Sequence, residues 1–281
     1  MSREDNIEIF KDTEKLCRTN PLLIQAWKKS SANQKLILEN EAIACEKQIY
    51  EKSTRIVVSR KRTFEAATSA EYSGKKVAVL NFASASNPGG GVVNGSSAQE
   101  ECLCRCSTLY YNLTEDYMWK NFYLPHRHQG NPIHNDDLIY TPDVVIFKSD
   151  TVYPRFMPEA RWKKVNVITC AAPNLRERPS NGFNSGDGNR AVKISDSELE
   201  KIHIKRGRKI LEAATANKNE VVILGAFGCG AFMNKPEVVA NSYKQIIEEF
   251  KNAFETIEFA VYCSPRDESN FRIFSWSNFE F

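Results

Sequence analysis

No stretch of this 281-residue chain approaches the roughly 18 consecutive apolar residues that a membrane-spanning helix needs. The opening residues Met1-Ser2-Arg3-Glu4-Asp5 carry acids and lack an apolar h-region. No signal peptide is therefore expected, and an intracellular, cytoplasmic protein is, with access to a nucleus if its cell has one. Excess charge is also missing: 38 Lys and Arg stand against 35 Asp and Glu, a net charge of +3. That balance excludes a long-range basic field and with it sequence-specific nucleic-acid binding, while leaving room for a local positive patch around a polyanionic ligand. No internal repeat or low-complexity segment interrupts the chain. Neither do its cysteines make a metal site. Cys102, Cys104 and Cys106 alternate, and helical residues two apart point about 200° from each other, so the three cannot converge on one ion. Without export the eight cysteines are expected to be reduced, small core or surface residues. His126, His128 and His134 share a stretch with Asp136 and Asp137, but i, i+2 spacing in irregular chain is a poor metal signal. A solvated loop is expected there, and no metal or other cofactor.

What is present describes an ordinary α/β enzyme domain, 42% hydrophobic and 26% charged. Strands are expected at 55–58, 75–82, 144–147, 165–169, 220–224 and 257–262, from short β-branched runs. Helices are expected at 30–52, from Ser97 onward, at 196–216 and at 236–250, the last with proline well placed at its start. The N-terminal stretch before residue 30 reads as helical or irregular. Tyr117–Asp137 reads as a polar, aromatic-rich connection, and 174–190 as a mobile loop near the site. Within that loop Arg176 and Arg178 are read as solvated rather than phosphate-binding. This alternation favours a three-layer α/β/α sandwich.

Two glycine clusters follow strands. Gly89-Gly90-Gly91 stands seven residues before Gln99-Glu100-Glu101. Three residues without Cβ atoms let N–H groups press against phosphate or sugar oxygens. Two carboxylates at the start of the next helix suggest acid/base chemistry at the carboxyl end of a sheet strand, where open α/β sheets bind ligands. A plainer account exists for part of this. Ser97-Ala98-Gln99-Glu100 is a good capping box, which would explain Glu100 without catalysis. It explains neither Glu101 nor a triple glycine. The second cluster, Gly225-x-x-Gly228-x-Gly230, is not the dinucleotide fingerprint, which runs Gly-x-Gly-x-x-Gly. Two such loops at neighbouring strand ends can grip a diphosphate through N–H groups alone.

Together these segments resemble the short, bacterial-type branch of the poly(ADP-ribose) glycohydrolases. The resemblance rests on Asn81-Phe82-Ala83-Ser84-Ala85-Ser86-Asn87-Pro88-Gly89-Gly90-Gly91, the Gln99-Glu100-Glu101 triplet, Tyr140–Phe147, Ile168–Asn174 and Gly225–Phe232. These occur in the family's order, between residues 81 and 232 of the chain. It implies a macrodomain-like fold with a mixed central sheet and a helical N-terminal extension to about residue 54, with no domain boundary to draw in residues 1–281.

The resemblance further implies hydrolysis of the ribose–ribose O-glycosidic bond of poly(ADP-ribose) through an oxocarbenium-like state, from chain ends, releasing ADP-ribose. Glu101 would be the acid/base, and Glu100 would hydrogen-bond and orient the ribose. Asn81, Asn87, Gly89, Gly90, Gly91 and Gln99 would contact substrate around the first loop. Gly228, Cys229, Gly230, Ala231 and Phe232 would hold the diphosphate, with Phe232 against the departing ribose unless it is a core aromatic. Poly(ADP-ribose) or ADP-ribosylated protein is the expected substrate, the enzyme acting as a monomer. Two other classes stay open: a non-cleaving ADP-ribose reader, against which both glutamates argue, and a hydrolase of mono-ADP-ribosyl or acyl-ADP-ribose substrates. Cys170-Ala171-Ala172 in place of a more proline-rich loop, and Lys148 where arginine is common, depart from the branch and could alter substrate contacts.

Overall fold

The computed structural model describes residues 1–182, 184–264 and 267–277; Phe183 of the expected mobile loop lies outside them. Seven strands form one sheet: β1 (Lys35–Ile37), β2 (Arg55–Ser59), β3 (Val77–Phe82), β4 (Leu138–Ile146), β5 (Lys163–Cys170), β6 (Val221–Leu224) and β7 (Thr256–Ala260). Their spatial order is β1-β4-β5-β3-β6-β7-β2. β4 runs antiparallel to both β1 and β5, while the other pairings are parallel, so the sheet is mixed. β3 lies at the centre between β5 and β6. Its run Val77-Ala78-Val79-Leu80 is buried throughout because both faces are covered.

Alternate β3 residues serve opposite cores. Ala78 and Leu80 join a cluster with Ile210, Leu211, Tyr243 and Ile246. Val77 and Val79 join one with Phe64, Leu103, Leu109 and Phe10. The helices concerned, in chain order, are α1 (Arg3–Thr19), α2 (Pro21–Ala32), α3 (Thr63–Ala67), α4 (Gln99–Cys106), α5 (Leu109–Leu113), α6 (Asp116–Met118), α7 (Leu124–Gln129), α8 (Asp196–Ala216), α9 (Pro236–Glu249) and α10 (Ser269–Trp276). Helices α8 and α9 cover one face and α1, α3, α4 and α5 the other, giving three layers.

The expected strands and helices after residue 138 are present, β4 being longer at its start and α8 matching at both ends, while α10 was not expected. The expected helix over 30–52 is absent. The chain leaves α2 at Ala32 and forms edge strand β1. Leu36 packs into the cluster on one face of the sheet and Ile43 into the cluster on the other, which no single helix face can do. Helix α4 also ends early: at Ser107 the backbone extends and bridges Ile146, and the Thr108 amide donates to the Val145 carbonyl. Sheet pairing therefore overrides the helical spacing of Leu103, Cys106, Tyr110 and Leu113. The Tyr117–Asp137 connection is largely helical, with a five-residue π segment at Trp119–Tyr123 leading into α7. It is not solvated: Phe122, Tyr123 and His126 are buried. At the N-terminus, α1 packs on α4 and α2 on β4.

Candidate active site

The central strand delivers the first glycine loop and α4 to the carboxyl end of the sheet. Gly89 and Gly90 take the left-handed conformation, φ +69° and +59°. Only glycine serves at position 90 for a second reason: a Cβ there would stand 2.6 Å from Glu101 Oε1 and 3.0 Å from Glu100 Oε2. The loop wraps the two carboxyls. Glu100 Oε2 accepts from the Ser84 amide at 2.8 Å, Oε1 accepts from Asn81 Nδ2 at 3.2 Å, and the Gly89 amide also donates to this carboxylate. Glu101 Oε1 accepts from the Gly91 amide at 2.9 Å, while its buried Oε2 has no partner.

The capping box does not form. Ala98, not Ser97, caps α4, with no side-chain cap, and Glu100 is turned toward β3 and Ser84. The expectation that all three glycine amides face a ligand also changes. Those of Gly89 and Gly91 hold the glutamates, and that of Gly90 donates to the Asn87 carbonyl.

Burial dominates the electrostatics. Glu100 and Glu101 are 3% and 7% exposed. Desolvation pushes both carboxyls above the ordinary range, and repulsion from Glu101 adds to the rise at Glu100. The Ser84 and Gly89 amides and Asn81 oppose the rise at Glu100, and backbone amides led by Gly91 oppose it at Glu101. Glu101 Oε2 has no hydrogen-bond partner among the described residues.

The carboxyls open onto a cavity of about 650 Å³, bordered by Gly90 and Gly91, by Gly228, Gly230, Ala231 and Phe232, and by Arg176, Asn181 and Asn184 of the 174–190 loop. In the second loop Gly228 has φ +78°, and a Cβ there would meet that of Ala172 at 2.6 Å. Among the described residues, the amides of Gly228, Gly230, Ala231 and Phe232 donate to no protein acceptor, unlike those of Cys229 and Met233. They form the anion-ready loop. Asn234 shapes it, its Nδ2 lying 2.7 Å from the Pro173 carbonyl, 3.2 Å from that of Gly228 and 3.1 Å from that of Phe232. Phe232 is half-buried on the cavity wall, with the Arg176 guanidinium 5.6 Å from its ring centre.

Several expected contact residues carry hydrogen bonds within the protein. Gln99 lines the cavity, but its amide staples the end of β3, accepting from the Phe82 amide and donating to the Leu80 carbonyl and Thr63. Asn81 reaches Glu100 and Thr169 rather than the cavity. Asn87 bonds Asn184, Ser185 and Arg127. Cys229 turns its sulfur to the Phe227 carbonyl, and burial pushes its thiol up. Lys148 is buried and bonded to the Ile9 carbonyl and Asp12 of α1.

The histidine stretch departs further from a solvated loop. His126, His134, Asp136 and Asp137 are buried, and only His128 is exposed. His126 is held by the Phe122 carbonyl and Asn135, and Asp136 pairs with Arg206. Burial depresses the His134 imidazole well below its ordinary value. Among the described residues no group of three His, Cys, Asp or Glu could hold a metal ion. In the 174–190 loop Asp187 is buried, bonded to Ser86 at 2.5 Å and Asn174 at 2.8 Å. Not foreseen from the sequence were Ser84, Asn184 and the far end of the cavity. There Arg62, stacked 4.0 Å above the Tyr262 ring, stands 4.0 Å from Asp150 Oδ1, a buried oxygen with no hydrogen bond among the described residues.

Residues 5–149 match the family described as microbial-type PARG, catalytic domain. The crystal structure of poly(ADP-ribose) glycohydrolase (PARG) from Thermomonospora curvata is similar over 98% of this chain and 99% of its own, with a TM-score of 0.83 and 27% identity. The same enzyme bound to the inhibitor ADP-HPD gives a TM-score of 0.79 at 27% identity, over 97% and 99%. PARG from Deinococcus radiodurans in complex with ADP-ribose gives 0.74 at 30% identity, over 89% and 96%. No curated protein sequence matches.

Proposed function

The chain belongs to the microbial-type poly(ADP-ribose) glycohydrolase family, and from that membership we propose how its own residues carry the reaction. It is a hydrolase of the glycosidic bond between ADP-ribose units. Glu101 protonates the leaving ribose oxygen through Oε2, and the bond to the anomeric carbon breaks with oxocarbenium character. The resulting carboxylate then takes a proton from the attacking water, whose oxygen bonds the anomeric carbon and yields free ADP-ribose. Glu101 is thereby returned to its protonated state. Glu100, held by the Ser84 and Gly89 amides and Asn81, accepts from a ribose hydroxyl and orients the sugar.

One observation carries this assignment. Of the two buried carboxyls that line the cavity, only Glu101 has, among the described residues, an oxygen without a hydrogen-bond partner. The four undirected amides of the second loop receive the diphosphate. The Arg62–Tyr262–Asp150 end offers a stacked cation and a buried acceptor for the planar base and its exocyclic amine. The same fold would suit a reader module, but a reader needs no buried acid.

The test is incubation with automodified poly(ADP-ribosyl) protein and separation of the products. Free ADP-ribose from the first time points, with a residual protein-linked unit, is expected for terminal cleavage. Early oligomers would replace that with internal cleavage. Unchanged polymer alongside tight ADP-ribose binding would overturn the hydrolase, and complete release of the protein-linked unit would extend the substrate class to mono-ADP-ribosyl linkages.

A further inference from the structure

Arg105 is buried to 1% exposure and has no acidic partner among the described residues. Its Nη1 donates to the Ser96 carbonyl at 2.5 Å and its Nη2 to the Cys102 sulfur at 3.2 Å, while Nε is buried and unpartnered. A desolvated cation so weakly compensated is costly, and an apolar side chain of similar volume would serve stability as well or better. Packing alone therefore does not account for it. The backbone beneath is fixed, since the Arg105 carbonyl accepts from Thr13 of α1 at 2.6 Å.

Its place on α4 supplies the account. Residues four apart on a helix face one another, and Arg105 lies four after Glu101. The peptide chain closes a second route between them: Arg105 holds the Ser96 carbonyl, the Ser96 amide donates to the Gly91 carbonyl at 3.1 Å, and the Gly91 amide donates to Glu101 Oε1 at 2.9 Å. We propose that Arg105 is a positioning residue for the hydrolysis, its charge acting on Glu101 along the helix while its guanidinium anchors the loop that holds the same carboxyl.

The inference rests on Glu101 being the acid/base. Other titratable groups acting with Glu101 are Glu100, Cys102 and Cys104 on its own helix; Arg62 and Asp150 reach its neighbour Cys102, and Tyr110 on α5 stands beside Gly89 and Cys104. The β3 side and the glycine loop offer only Asn81 and peptide groups. Among these, Arg105 is the cation that pulls the Glu101 carboxyl down against burial.

The experiment compares Arg105→Gln and Arg105→Lys with the unaltered protein, measuring kcat/KM on poly(ADP-ribose) against pH and thermal unfolding of each. Glu101 works as an acid while protonated, so activity falls as pH rises through its pKa. Loss of the positive charge in Arg105→Gln moves that alkaline limb upward by about 1 pH unit. Arg105→Lys keeps the limb in place and loses kcat at constant KM, because an ammonium lacks the planar fork that spans Ser96 and Cys102. A purely structural role would lower the unfolding temperature or the active fraction and leave the limb unmoved, and that result in folded Arg105→Gln overturns the proposal. If Arg105→Gln does not fold, a wild-type kcat in Arg105→Lys overturns it. Turnover retained by Glu101→Gln would instead overturn the acid/base assignment beneath it.

Discussion

The place where a Cβ on Gly90 would stand is 2.6 Å from Glu101 Oε1, so the glycine loop and the acid occupy a shared envelope with no room for a methyl group. This makes the triple glycine first a mould for the carboxyls and only then a border of the cavity. Gly90→Ala should therefore lower kcat by a larger factor than it weakens ADP-ribose affinity. Its left-handed backbone adds about 1–2 kcal/mol of destabilisation for an L-residue. Single-turnover rates beside calorimetric titration check this. Wild-type kcat in the folded variant would separate the loop from the acid.

Glu101→Gln should abolish turnover, since an essential general acid contributes about 10²–10⁴-fold, while ADP-ribose still binds. The same variant should be the more stable protein at neutral and alkaline pH. Burial raises the Glu101 carboxyl above its ordinary value of 4.5. The sign follows: such a group favours the fold below the unfolded pKa, and that contribution is lost as pH rises through the folded pKa. An amide keeps the bond from Gly91 and never ionises. The gain in unfolding temperature should thus be small near pH 4 and grow as pH is raised. Glu100→Gln should start from a lower unfolding temperature, because an NH2 group would face donors from Ser84, Gly89 and Asn81, although its deficit should also shrink as pH is raised. Equal pH-independent shifts in both variants would contradict this picture.

Much of this site was legible because its chemistry is local in the chain. Gly89–Gly91, Glu100 and Glu101 lie within thirteen residues, and the strands that present the two loops are short runs with clear ends. The roles of Gln99, Asn81 and Asn87 were less legible, because a polar side chain beside a motif looks alike whether it reaches a ligand or a peptide group. Gln99 is spent on Phe82 and Leu80, across the loop rather than along it. The 30–52 segment misled for a related reason. Its apolar residues recur at nearly helical spacing, yet Leu36 and Ile43 serve opposite faces of the sheet edge. The buried His126–Asp137 stretch could not be foreseen, since its partners Arg206 and Asp187 come from distant elements.

Asn234 ties the second loop to the strand end after β5 through three carbonyls, and its Oδ1 pairs with His203 Nε2 at 2.8 Å. Asn234→Ala strands those buried groups, at a cost of roughly 1–3 kcal/mol. The amides of Gly230, Ala231 and Phe232 would no longer be preorganised. The expected outcome is weaker ADP-ribose binding and a raised KM, with kcat at saturation changed less than KM. Titration calorimetry and steady-state kinetics check it, and a selective loss of kcat would place Asn234 with the acid instead.

The contacts of Lys148 assign it to the N-terminal helix. Its buried ammonium is 2.9 Å from the Ile9 carbonyl and 2.8 Å from Asp12. The α1 helix it holds touches the catalytic loop directly: Arg3 donates to the Asn94 carbonyl and Asn6 to that of Gly95. Lys148→Ala removes a charge-assisted tether worth about 1.5–3 kcal/mol. Amide exchange over residues 3–19 should quicken first, with β3 and β5 still protected, and kcat should fall as the 94–95 corner loosens. Lys148→Arg should retain both protection and activity, because a guanidinium can reach the same carbonyl and carboxylate. Unchanged exchange in α1 of the alanine variant, with substrate affinity lost, would return Lys148 to the substrate contacts that its place in the sequence had suggested.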